Sequence, residues 1–160
     1  MTHPKLTGEE DVAVVYQVEE DRKQLSGLMG YRVVGMAYPC GGVNNDDRVA
    51  EIIKNQTGVK YARTITSTFS FDLPKNVYRL DPTVHVCEAD KMFELAEKFI
   101  SLKSDKPQMF YIWGHSYEFD VIDDITWERF EDFCKLISGK DDIFYGTNKE
   151  VLDQLKLLKN

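Results

Sequence analysis

Helical and strand-like hydrophobic patterns alternate along the whole chain, the arrangement expected of βα units built on a parallel sheet. The first helical stretch starts at Thr7, whose hydroxyl and Glu10 form a Thr-x-x-Glu box, and ends at Gly30; Val12, Val15, Leu25, Leu28 and Met29 form its apolar stripe. Residues 32–38 are β-rich and break at Pro39-Cys40-Gly41-Gly42. A second helix, capped by Asn44 or Asn45, buries Val49, Ile52 and Ile53 and stops at Gly58. Residues 59–65 and 77–86 read as strands, with a polar loop, 66–76, over the strand ends. Asp90 caps a third helix, on which Met92, Phe93, Leu95, Ala96, Phe99 and Ile100 recur at three- and four-residue spacing. Residues 109–113 are a continuous apolar run, as in a strand covered on both faces; Gly114 ends the run and His115 stands at its mouth. Thr126 caps a fourth helix burying Trp127, Phe130, Phe133, Cys134 and Ile137, and 143–145 read as a short last strand. Thr147-Asn148-Lys149-Glu150 is a second capping box, opening a terminal helix that carries Val151, Leu152, Leu155 and Leu158.

Length and composition then bound the answer. A chain of 160 residues that is 42% hydrophobic supports one core, so 1–160 reads as a single α/β domain. The net charge of -7 and the lack of a Lys/Arg cluster exclude the basic surface that nucleic acids or anionic membranes require. No apolar run reaches the ~20 residues that span a bilayer, and Met1-Thr2-His3-Pro4-Lys5 lacks the layout of a signal peptide, so a cytoplasmic protein is expected. Cys40, Cys87 and Cys134 form no CxxC pattern and read as reduced, small apolar side chains. Candidate chemistry rests on His3, His85 and His115. His115 is either a core histidine or the start of a site. His85, closing Asp81-Pro82-Thr83-Val84-His85, reads as a partly buried structural histidine, the other reading being that it faces the same mouth.

Thr2-His3-Pro4, Gly35-Met36-Ala37-Tyr38-Pro39-Cys40-Gly41 and Trp113-Gly114-His115-Ser116-Tyr117-Glu118-Phe119 resemble, in order and spacing, three segments of the polysaccharide deacetylase family, the NodB-homology domain of carbohydrate esterases. The likeness continues through Tyr61-Ala62-Arg63-Thr64 and Ser70-Phe71-Asp72-Leu73-Pro74 and so covers essentially the whole chain. The resemblance implies a deformed (β/α) barrel that removes acetyl groups from sugars with a divalent metal such as zinc, cobalt or nickel. His3 matches the later histidine of the family's His-x-x-x-His segment and is the implied metal ligand; the earlier histidine and the aspartate pair of the Thr-Phe-Asp-Asp segment would fall before Met1. The implied fold is therefore a partial (β/α) barrel lacking its first strands, spanning about the C-terminal three quarters of the family domain. An opened barrel exposes an edge, and a homo-oligomer formed through that edge is expected.

His115 matches the late histidine that protonates the leaving amine in the family. Tyr38, an implied substrate-binding residue, lies in the segment that usually reads Arg-x-Pro-Tyr-Gly, from which this chain departs at Ala37 and Cys40. Arg63 either replaces the missing arginine charge beside the substrate or is a surface arginine pairing with Asp72 or Asp81. Glu118 either orients His115 or binds a sugar hydroxyl, or else stands as a solvated loop acid. Two functional expectations follow. One is a metal-dependent hydrolase acting on non-peptide carbon-nitrogen bonds of acetylated carbohydrate; the other is a truncated or degenerate homologue that binds carbohydrate without turnover. With the aspartate pair missing from these residues, weak metal binding and slow turnover are expected. The physical case for His115 stands beside the resemblance: a departing amine must be protonated, and an imidazole titrates near working pH.

Overall fold

In the computed structural model, which describes residues 2–158, the alternation resolves into a mixed α/β fold with two small parallel sheets. Met1, where the reading of the N-terminal segment begins, lies outside the described residues. In chain order the elements are α1 (Asp11–Met29), β1 (Gly35–Ala37), α2 (Asp47–Gln56), β2 (Tyr61–Arg63), β3 (Val84–His85), α3 (Ala89–Ser101), β4 (Ile112–Trp113), α4 (Glu118–Val121), α5 (Trp127–Ile137) and α6 (Asn148–Gln154). They fall into two compact units. One comprises Met1–Ile65, Pro74–Leu80 and Gly146–Asn160; the other comprises Thr66–Leu73 and Asp81–Tyr145. Among the described residues the strands form no closed or curling barrel, and no helix is long and apolar enough to cross a membrane.

In the first unit β1 and β2 pair in parallel, Gly35 opposite Tyr61 and Ala37 opposite Arg63. Val14 and Val18 of α1 pack with Val49, Ile52 and Ile53 of α2 against Leu6, Tyr38, Val59 and Ala62. Helix α2 follows its apolar stripe, but its cap is Asp46, whose carboxylate accepts the Val49 N–H at 2.8 Å. Asn44 instead is fully buried and donates to the carbonyls of Tyr38 and Cys40, pinning the loop after β1. Helix α1 departs further from the pattern. The Thr7 hydroxyl donates to the Val43 carbonyl rather than capping, and the helix begins at Asp11. Val12 and Leu28, expected inside, are 82% and 81% exposed, while Val14 and Val18 are buried. Apolar residues lie all around this helix, so spacing alone defines no single face. Gly30 closes it in the left-handed region, as expected of a C-terminal glycine. Both reciprocal bonds of the Thr147–Glu150 capping box are present at α6.

In the second unit β3 and β4 pair in parallel, Val84 opposite Ile112 and His85 opposite Trp113. Val84, Val86, Ala89, Met92, Leu95, Ala96, Ile125 and Phe133 form its core. Thr126 caps α5 by accepting the Arg129 N–H. Asp90 lies in the first turn of α3 rather than at its cap and pairs with Arg129. Trp127 is half exposed and donates its ring N–H to Asp120. The strands are shorter than the hydrophobic runs suggest. Run 77–86 splits into a 3-10 turn, Val77–Arg79, and β3, because Pro82 inside it supplies no N–H to a ladder. Residues 143–145 join no strand, and the Tyr145 hydroxyl donates to the Ile137 carbonyl instead.

One ion pair ties elements of the first unit together. Arg22 donates twice to Glu19, at 2.8 and 2.6 Å, and the same carboxylate accepts the Gly58 N–H at 2.8 Å. The Arg22 hydrogen bonds outweigh the opposing effect of burial and, with the Gly58 bond, lower the Glu19 carboxyl to about 2. A carboxyl depressed on folding stabilises above its unfolded value, and that contribution is lost as pH falls from about 4.5 toward 2. Glu19→Gln is expected to cost about 1 to 2 kcal/mol near neutral pH, with the gap from the parent chain closing across that acidic window. Urea unfolding at a series of pH values checks this; a gap that stays constant with pH would show that Glu19 does not stabilise through its charge.

Candidate functional site

Strands β3 and β4 end side by side, at His85 and Trp113, and the carboxyl ends of parallel strands are where α/β sheets present their ligand-binding loops. After Trp113 the chain turns at once: the Glu118 N–H reaches the His115 carbonyl at 3.0 Å, opening α4. The three-residue spacing brings the Glu118 carboxylate back over the start of its own turn. Oε2 accepts the His115 backbone N–H at 2.6 Å, and Oε1 lies 3.0 Å from His115 Nδ1. Across the sheet, His85 Nε2 approaches the same Oε1 at 3.3 Å. His85 is held from behind, its Nδ1 accepting the Cys87 N–H at 3.1 Å. Its backbone N–H is fixed by Glu88, which also accepts the Ser67 hydroxyl.

Glu118 is 6% exposed. Burial alone would push its carboxyl up, but the His115 backbone and ring hydrogen bonds, together with the charges of His85 and His115, hold it below the usual carboxylate range. Burial, then the charge and hydrogen bond of Glu118, push the Cys87 thiol up to about 11. The hydrogen positions follow from these partners. An ionised carboxylate only accepts, so His115 Nδ1 and His85 Nε2 carry the hydrogens facing Glu118. In its uncharged form the His115 ring then has its lone pair on Nε2, and its side chain is 49% exposed. Trp113 meets His85 edge-on at 4.2 Å between centroids, and Tyr117 lies 5.3 Å from the His115 ring at a 30° tilt.

The arrangement also holds a partial set of metal donors. One donor atom each from His85, Cys87 and Glu118 lies within 4.8 Å of the other two, the one such group of three or more among the described residues. Ligand-to-ligand spacings in a tetrahedral site with these donors are roughly 3.3 to 3.8 Å, so small side-chain adjustments would bring the group around an ion. Imidazole, thiolate and carboxylate are ordinary zinc-type ligands, and three of them leave one position open.

The other residues singled out in the sequence lie in the first unit. His3 is exposed and sits against Cys40, with Nδ1 3.5 Å from the sulphur and its carbonyl accepting the thiol. Tyr38 is buried in the core, and its hydroxyl donates to the Tyr78 carbonyl at 2.7 Å. Arg63 closes β2 and donates to the Thr64 carbonyl. In the second unit the structure joins His115 to Glu118 and sets His85 beside them, in each case one of the two readings left open by the sequence, and it adds Cys87, which the sequence reads as a small apolar side chain. The only local signal for Cys87 was a His-x-Cys pair at the end of a predicted strand.

Gly114 makes the close approach possible. A Cβ there would lie 2.1 Å from Val86 Cγ2 and 3.1 Å from Glu118 Oε2. Gly114→Ala is therefore expected to destabilise the chain by about 1 to 3 kcal/mol, and Val86→Ala in the same chain to recover part of that loss. Urea unfolding of the two single variants and the double variant measures the coupling; strictly additive losses would rule out the contact as the cause. Compared with protein-family profiles, characterised proteins and solved structures, the chain matches none.

Proposed function

We propose that the chain is a metal-dependent hydrolase of the polysaccharide deacetylase type, acting on the carbon-nitrogen bond of an acetylated sugar with His115 as the acid that protonates the departing amine. The observation that carries this reading is the His115 ring, half exposed beyond β4 and bound through Nδ1 to the buried Glu118 carboxylate. The partial (β/α) barrel of that family belongs to the same proposal.

The chemistry of the residues follows from their hydrogen bonds. Glu118 fixes the ring with Nδ1–H inward, so Nε2 is the nitrogen that meets substrate. When Nε2 takes a proton, the adjacent carboxylate stabilises the imidazolium, and the ring can pass that proton to the amine as the bond breaks. Glu118 itself stays ionised and acts by orienting and stabilising. Tyr117 and Trp113 offer ring faces beside His115 against which the apolar face of a pyranose can pack. His85, Cys87 and Glu118 are the residues that would hold a divalent ion, which when bound supplies Lewis-acid polarisation of the amide carbonyl and activation of water.

A second reading, carbohydrate binding without turnover, draws support from Cys87. With its thiol pushed up to about 11, Cys87 keeps its hydrogen at neutral pH, and Glu118 is satisfied by hydrogen bonds alone. Acetate release from an acetylated chito-oligosaccharide, measured with and without added zinc or cobalt, separates the two. The first reading expects metal-dependent release slower than about 1 s⁻¹, the low edge of ordinary enzyme rates, because the ligand set is partial. His115→Ala should lower it by about 10²-fold to 10⁴-fold, the range for a general acid, with binding of the oligosaccharide little changed. Binding with no release under any metal would establish the second reading, and release unaffected by His115→Ala would remove His115 from the reaction.

A further inference from the structure

Glu118 is engaged from two sides. On one, His85 Nε2 lies 3.3 Å from the carboxylate and a Cys87 donor atom lies within 4.8 Å of both; on the other, His115 binds it through both its backbone N–H and its ring. Only the first side brings a complete group of donor atoms within 4.8 Å, and His115 touches that group through Glu118. One member is sulphur. Hard ions such as magnesium and calcium select oxygen ligands, whereas a thiolate with an imidazole and a carboxylate suits borderline ions. The geometry points to a thiolate-containing site for an ion of the zinc and cobalt class at His85, Cys87 and Glu118, linked through the shared Glu118 carboxylate to the hydrogen bond that orients His115. This inference rests on the metal-dependent reading above and adds to it the linkage between the ion site and His115.

The bonds exchanged on binding define the linkage. Cys87 loses its S–H proton to solvent and forms a sulphur-metal bond. The His85 ring gives its Nε2 lone pair to the ion and carries its hydrogen on Nδ1, so the hydrogen bond from the Cys87 N–H breaks. Glu118 gives up the hydrogen of His85, gains the ion, and keeps His115. A carboxylate that shares its charge with a cation is a weaker acceptor, so the His115 Nδ1–H bond loosens as the site fills. Second-shell partners of this kind tune affinity in both directions.

Cobalt titration of the full chain, followed by absorption and by imidazole nitrogen resonances, tests the inference. The expected result is a thiolate-to-cobalt charge-transfer band in the near ultraviolet, visible bands of four-coordinate intensity, and displacement of both by zinc. Zinc should move the His85 and His115 resonances together, with one occupancy, while magnesium and calcium move neither. Cys87→Ala should abolish the near-ultraviolet band and weaken zinc binding by at least 10-fold, with circular dichroism confirming its fold. If that variant does not fold, the band in the parent chain alone decides. Cobalt binding without the band, undiminished zinc binding by folded Cys87→Ala, or a His115 resonance unmoved at saturating zinc would each overturn the inference. None of these signals involves acetate. A chain that shows them and releases none keeps this inference and loses the hydrolase reading, whereas release without the band does the reverse.

Discussion

The second unit is organised around the burial of one negative charge. A carboxylate taken out of water costs several kcal/mol unless donors replace its hydration, and Glu118 obtains them from His115, through its backbone N–H and its ring, and from the ring of His85. Hydrogen bonds to a charged group contribute about 1.5 to 3 kcal/mol each, so no donor can be displaced cheaply. Each therefore constrains the chain that bears it. The turn at 115–118 must be tight, β3 and β4 must keep the register that sets His85 beside Trp113, and position 114 must lack a side chain. Strands only two residues long would be weak determinants of structure by themselves. Here the polar knot at their ends adds what the ladder lacks.

The first unit buries polarity for a different purpose. Its fully buried Asn44 donates to two carbonyls and accepts from Asn45, and Tyr38 spends its hydroxyl on Tyr78. These are neutral groups, satisfied by backbone or by a neighbouring amide, and their effect is to hold a loop that contains the left-handed Cys40 and Gly42. Neither Asn44 nor Tyr38 orients an exposed imidazole. The contrast with Glu118, whose satisfaction leaves Nε2 of His115 available, separates a structural polar core from a site with chemical capacity.

What the sequence made legible was local. Thr126 and the Thr147–Glu150 box act within one turn, and the stripes of α2 and α3 repeat often enough to define a face. His115 and Glu118 meet within one turn as well, so their spacing already contained one account of their contact. Helix α1 resisted because apolar residues surround it, and only the packing of Val14 and Val18 selects the buried side. Cys87 resisted, and His85 stayed open between two readings, for a topological reason. Their meeting with Glu118 depends on β3 pairing with β4 across α3 and the loop that follows, and no pattern within either segment encodes that partner. Apolar runs also overstated the strands, since a run becomes a strand only where a neighbour accepts its hydrogen bonds, and Pro82 denies one.

The segment that closes the first unit has a temporal consequence. The chain passes between the units at 65/66, 73/74, 80/81 and 145/146, and α6, with Leu152 buried, belongs with the opening residues. A ribosome therefore releases every segment of the second unit before it finishes the first. The knot around Glu118 can mature during translation, whereas the N-terminal elements must wait, incompletely covered, for α6 to emerge. Exposure of unfinished apolar surface to chaperones thus falls on elements made before the second unit, and its duration is set by elongation across the intervening residues.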